Sequence, residues 1–147
     1  MYFKKRYKDS VEFHNQNQIE FDRVRSATSK LKSMTELGVS GFAIAEAEKL
    51  TYEYLNLSSV CSDLLFGLGA SVLDAKSRYK QIEGMFFRDL SVKTPAADKV
   101  KLVQCLPTYI QADQDYNDLL DLKEYIENKK KDFDGAYYYY RDIANKK

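Results

Sequence analysis

The chain of 147 residues contains no tryptophan, one histidine, two cysteines and two prolines. Each scarcity removes a class of protein. Two prolines and six glycines supply too few turn residues for a β-rich fold, so long helices are favoured. Two cysteines cannot complete a zinc site. Cys61 and Cys105 sit among apolar neighbours with no secretory context, which reads as two buried thiols rather than a disulfide. His14 has no cysteine or carboxylate at ligand or triad spacing, and is expected to pack or meet solvent rather than catalyse. No sign of charge dominates: the net charge is +1, with charged residues at 31%. A general attraction for nucleic acid is therefore excluded, and only a local patch could supply one. The longest apolar run, Leu64–Leu73, lies between Asp63 and Asp74 and falls well short of the ~20 residues of a membrane span. The opening Met1-Tyr2-Phe3-Lys4-Lys5-Arg6 is unlike a secretory signal. These features predict a soluble cytoplasmic protein with no membrane partner.

What the chain has instead is a seven-residue apolar repeat, carried by two long stretches. In Ile44–Phe86 the seam reads Ile44, Ala47, Tyr54, Cys61, Leu65, Leu68, Val72, Ala75, Tyr79, Ile82 and Phe86, with Thr51 and Ser58 as polar exceptions. In Tyr109–Ala144 it reads Tyr109, Ala112, Tyr116, Leu119, Ile126, Phe133, Tyr137, Tyr140 and Ala144, with Lys123 and Lys130 as exceptions. This period belongs to long bundled or coiled helices, not to strands. At about 1.5 Å of rise per residue the first would run roughly 60 Å. The fold class expected is all-α: an elongated helical bundle that self-associates. Whether the seams pair within one chain or between chains is left open by the pattern. For an interface between subunits the candidates are Tyr116, Leu119, Ile126, Phe133, Tyr137 and Tyr140.

Residues 1–10 read as a basic, aromatic arm, and residues 11–147 as a single all-α domain. A first helix is predicted from about Val11 to Lys32, with Phe13, Phe21, Val24, Thr28 and Leu31 on one side and a weak stretch at Asn15–Gln18. Ser33–Gly41, with Gly38 and Gly41, is the first break. The second helix is expected from near Ser40 or Phe42 to about Leu90, with Gly67 and Gly69 allowing close approach of a neighbour. Thr94 is placed to cap a short helix, Ala96–Cys105, with Pro95 at its first position. Pro107 then kinks or restarts the chain, and the last helix runs from Thr108 to Ala144, loosened at Gly135.

Little in this pattern suggests chemistry. Asp113, Asp115, Asp118, Asp121, Glu124 and Glu127 invite comparison with a di-metal bundle, but the Glu-x-x-His pairs such a site needs are missing. They read as a solvated acidic stripe away from the seam. No enzyme activity, metal or cofactor is expected, and no small-molecule substrate.

Two clusters point toward recognition. Lys76, Arg78 and Lys80, followed by Arg88, gather cations near the end of the second helix; the arm adds Lys4, Lys5 and Arg6. A solvated charged face is the plainer reading, and cations near a helix C-terminus are favourable in their own right. Flat rings beside cations recur at Tyr137–Tyr140 with Arg141, and at Tyr2 and Tyr7. Such rings stack on unpaired bases, or fill a helical seam or a protein interface.

The run Lys76-Ser77-Arg78, with Gly84 after five intervening residues, resembles the Lys-x-Arg…Gly signature of the UvsY family of phage recombination mediators. Tyr109-Ile110-Gln111-Ala112-Asp113-Gln114-Asp115 is similar to the stretch that opens another long helix in that family, and Tyr116, Leu119, Leu120, Glu124 and Tyr125 continue the likeness. The resemblance covers roughly Lys49–Asp134; Gln81 and Ile82 stand where the family usually has an aromatic pair. It implies a ring-forming helical protein of the host cytoplasm that binds single-stranded DNA and loads a recombinase, with Lys76 and Arg78 on the DNA. The alternative from the residues alone is a helical protein–protein module, such as a scaffold, virion component or inhibitor. That module would use its acidic face and bind no nucleic acid.

Overall fold

A computed structural model describes residues 7–36, 44–89 and 95–145. Among them every regular element is helical: α1 (Ser10–Gln16), α2 (Gln18–Glu36), α3 (Ile44–Asp89), α4 (Ala96–Gln104) and α5 (Pro107–Ala144). The all-α class is as the repeat predicts, and α3 and α5 are its two long helices. Neither Gly67, Gly69 nor Gly135 interrupts them.

The N-terminal helix departs from expectation. It is divided at Asn17, whose amide bonds to the His14 carbonyl only three residues back, at 3.2 Å. Asn15 and Asn17 are poor helix formers, and the chain resets there before Phe21 bonds to the Asn17 carbonyl at 3.1 Å. The start of α1 is fixed by a cap that the sequence analysis missed. Asp9 Oδ1 accepts the Glu12 amide at 2.8 Å, and Glu12 Oε2 reaches back to the Lys8 amide at 2.9 Å. This is a capping-box exchange, satisfying two amides the first turn leaves orphaned. α2 continues past Ser33 to Glu36; the rest of the expected break, the start proposed at Ser40 or Phe42, and Leu90 and Thr94 lie outside the described residues. Pro95 stands one residue before α4 rather than at its first position, and its carbonyl accepts the Lys99 amide at 3.0 Å. Pro107 restarts the chain as the first residue of α5, where its missing N–H costs nothing.

The chain divides into two compact units, one of residues 1–13 and 67–122, the other of residues 14–66 and 123–147. In the first, Tyr7, Phe13, Leu68, Val72, Ala75, Val103 and Leu119 are buried. Tyr7 meets Phe13 edge-on with centroids 4.9 Å apart. Phe13 packs over Gly67: a methyl group there would lie 3.4 Å from its ring, in ordinary contact, whereas at Gly69 it would meet nothing. Close approach is therefore real at the first glycine and not at the second. Tyr79 lies between Tyr109 and Tyr116, at 6.1 and 5.3 Å.

In the second unit, Phe21, Val24, Ala47, Tyr54, Leu57, Cys61, Leu64, Ile126, Phe133 and Tyr140 are buried. Tyr54 faces Tyr140, while Ser58, a turn later, bonds to Asp134, more than a turn earlier. The α3 and α5 segments of this unit thus run antiparallel, and their seams close on each other within the chain. The polar seam positions find partners within the unit. Thr51 donates to the Ala47 carbonyl at 2.7 Å, Ser58 donates to Asp134, and Lys130 reaches Asp134 at 2.9 Å. Lys123 pairs with Glu127 at 3.8 Å.

α3 also contains one 18-residue window long and apolar enough, by length and composition, to cross a bilayer. Of that window 39% is buried within the structure.

Candidate nucleic-acid interface

The basic turn of α3 is built around a packed polar anchor. Ser71 is fully buried, and its hydroxyl accepts the Tyr7 amide at 2.8 Å. Two turns on, Arg78 Nη2 donates to the Lys8 carbonyl at 2.7 Å. Arg78 Nε lies 3.4 Å from Asp74 Oδ2, one turn back on the same helix. Buried Nε makes no hydrogen bond within the structure, so the Asp74 carboxylate balances the guanidinium charge without closing that donor. The root of the N-terminal arm is thereby held against α3 by Ser71 and Arg78, residues more than sixty positions away in sequence.

The sequence-derived cations form four sets, three of them among the described residues. Lys76 and Lys80 are exposed, four residues apart on one face of α3, and Lys80 Nζ lies 5.5 Å from the centre of the Tyr79 ring. Arg78 is half-buried and engaged with the arm, so it acts first as a positioning residue. Arg88 is exposed in the last turn of α3, where it also complements the helix dipole. Lys4, Lys5 and Arg6 lie outside the described residues; they are covalently continuous with Tyr7, whose ring is buried against Phe13. Lys8 belongs to the basic arm read from the sequence but was not among the candidate contacts; it is exposed, and its carbonyl meets Arg78 across 70 residues, which no local spacing announces.

The other candidates are placed as follows. Leu119, Ile126 and Phe133 are fully buried and Tyr140 nearly so, which consumes them inside the chain rather than at a subunit boundary. Tyr116 and Tyr137 are half-buried and keep an exposed edge. Asp118, Asp121, Glu124 and Glu127 are exposed on α5, but Asp115 is not. It borders the seam next to Tyr116, is buried, and accepts a hydrogen bond from Gln111 Nε2 at 2.9 Å. The expected solvated stripe therefore excludes it. Cys105 is exposed, contrary to expectation, because it occupies the turn that ends α4 before Pro107. His14 packs against Phe21, ring centroids 4.6 Å apart.

Buried groups in the second unit show what burial does to ionisation. Loss of solvent pushes the Cys61 thiol up to about 11, with Lys130 opposing and Asp134 reinforcing the shift. Burial raises Tyr54 to about 12, helped by Tyr140. For Asp134, burial works upward, yet the Ser58 and Lys130 hydrogen bonds outweigh it and hold the carboxyl below its ordinary range. Burial thus favours the protonated thiol and phenol, while hydrogen bonding favours the ionised carboxylate. Among the described residues no three His, Cys, Asp or Glu side chains gather where a metal ion could sit. An open groove of about 520 Å³ is lined partly by Asp22, Arg23, Lys30 and Glu53, a mixture of signs that selects no charge of ligand. In comparisons with known proteins, no family model, no curated protein and no solved structure matches this chain.

Proposed function

We propose that this chain is a non-enzymatic accessory protein of phage type that binds single-stranded DNA and assists the loading of a recombinase, acting in the host cytoplasm as a self-associating, elongated helical bundle. One observation carries the reading. Exposed Lys76 and Lys80 stand on one face of α3, and Tyr7 and exposed Lys8 are fastened to the Ser71–Arg78 face opposite, so cations flank this stretch of the helix on two sides. Three lysines with long, flexible stems suit a phosphate backbone that varies in path. Lys76-Ser77-Arg78 and Gly84 are also the residues that resemble the UvsY family signature.

The test is a fluorescence-anisotropy titration of a labelled oligonucleotide at several salt concentrations. Three phosphate contacts on a single strand give a log–log slope of affinity against salt of about −2. Exchanging Lys76 and Lys80 for glutamate lowers the affinity by more than about tenfold at low salt. A wild-type chain that leaves the oligonucleotide free at low salt overturns the proposal.

A second reading has its own support. Tyr52, 70% exposed, and Leu55 stand on the outer side of α3 within one unit. Together with exposed Glu124 and Glu127 of the same unit they suit a protein–protein module, such as a scaffold, virion component or inhibitor, with no nucleic acid bound. Capture of a basic protein partner by a chain indifferent to oligonucleotides would favour it.

A further inference from the structure

The last three turns of α5 carry a surface that neither the seam nor the basic turn of α3 uses. Tyr138 and Tyr139 are 53% and 56% exposed, unusual for two adjacent large rings on a helix with buried neighbours on its other side. Both rings are braced. Tyr138 meets Tyr137 edge-on at 5.2 Å, and Tyr139 meets buried Tyr140 edge-on at 5.1 Å. The Arg141 guanidinium sits 4.7 Å from the Tyr138 ring centre, with Asp142 as its 3.6 Å ion-pair partner. Rings fixed in this way lose little freedom when something flat is laid on them.

The helix surface in front of these rings is bare. Side chains on a helix lean toward its N-terminus, so Tyr138 and Tyr139 overhang the turn that contains Gly135. A methyl group at Gly135 would meet nothing within 4 Å. An open spot one turn wide therefore adjoins two exposed rings, and Lys131, exposed, stands one turn beyond it. A face of this kind offers a ring to stack on, a gap for the stacked group and a cation at phosphate range.

We infer that Tyr138, Tyr139 and Arg141 form a stacking platform for unpaired nucleobases, with the Gly135 gap receiving the base and Lys131 facing its phosphate. The inference rests on the single-stranded DNA reading above and extends it, since Lys8, Lys76 and Lys80 address only the backbone. Stacking on aromatic rings is tolerant of sequence, because every base has a flat face. The platform accordingly discriminates a strand with bases from one without, and not one base from another.

The experiment compares oligothymidylate with an abasic strand of the same length and charge, each titrated against the full chain at one salt concentration. The wild type binds the base-bearing strand about tenfold or more tighter. The Tyr138→Ala/Tyr139→Ala variant loses that preference while its affinity for the abasic strand is unchanged. The Tyr138→Phe/Tyr139→Phe variant, which keeps the rings, retains the preference and guards against loss of fold in the alanine pair. Equal binding of the two strands by the wild type overturns the platform and leaves the backbone reading standing. A preference that survives the alanine pair also overturns it, and so does a change in self-association as that pair's only effect, which makes the rings a protein interface. Binding of neither strand overturns both proposals.

Discussion

The rings of Tyr54 and Tyr140 lie stacked, centroids 5.7 Å apart and planes 7° from parallel, with Phe133 6.1 Å from Tyr54 on α5. All three are buried, and they join the α3 and α5 segments of one unit at its seam. Truncating such a ring removes a large buried area and leaves a cavity that helices cannot collapse into. Tyr54→Ala is expected to cost about 3–5 kcal/mol in chemical denaturation followed by helical circular dichroism. A double-mutant cycle of Tyr54→Leu with Tyr140→Leu should return a coupling of about 0.5–1.5 kcal/mol. A cycle that closes to zero would mean the pair contributes area alone.

The two cysteines should separate cleanly by reactivity. Cys61 is fully buried with its thiol raised to about 11, whereas Cys105 is exposed. A thiol reagent at pH 8 should modify one cysteine per native chain quickly, and the second only after unfolding. Cys105→Ser should abolish the fast phase. The same burial predicts alkaline weakening. Folded Cys61 keeps a proton that the unfolded thiol gives up near its ordinary 9.0, so its share of stability is complete below that pH and is lost as pH rises toward about 11. Tyr54 extends the decline from 10.0 toward about 12.

Asp134 gives the opposite dependence. Its carboxyl is held below the ordinary 3.8 by Ser58 and Lys130 despite the contrary effect of burial. Its contribution is therefore present above that value and lost as pH falls through the lower, folded value. Ser58→Ala removes the hydroxyl that donates to Asp134. Stability at pH 7 should drop by about 1–3 kcal/mol, and the acid-side slope should flatten.

Two glycines should respond in opposite senses. At Gly135 an added methyl meets nothing, so Gly135→Ala should raise stability by up to about 1 kcal/mol through helix propensity alone. At Gly67 the Phe13 ring stands 3.4 Å from that position, and Gly67→Leu must displace it. Thermal melts of the two variants should shift up and down respectively.

Much of the fold was legible because a seven-residue repeat is a strong signal: Ala47, Tyr54, Cys61, Leu68, Val72 and Ala75 on α3 are all buried, as are Leu119, Ile126, Phe133 and Tyr140 on α5. The same repeat said nothing about whether the seam closes within a chain, and Ser58 meeting Asp134 across 76 residues settles that only in three dimensions. Local signals were missed or misread where chain ends compete. Asp9 and Glu12 spell a cap that went unread, and Asn17 breaks a helix whose apolar spacing continues across it. Cys105 looked buried from its neighbours, yet it falls in the turn before Pro107. At the candidate site the lysines were visible as a pattern, while the reason for Arg78 was not. Its guanidinium is committed to the Lys8 carbonyl, a contact no spacing rule foretells.

The most direct measurement is sedimentation velocity of the purified chain with a short single-stranded oligonucleotide, detected at the absorbance of the bases, at low and high salt. The account predicts that the oligonucleotide travels with the protein at low salt, is released at high salt, and stays behind when Lys76 and Lys80 are both exchanged for glutamate. An oligonucleotide that sediments alone beside the wild-type chain at low salt would contradict it.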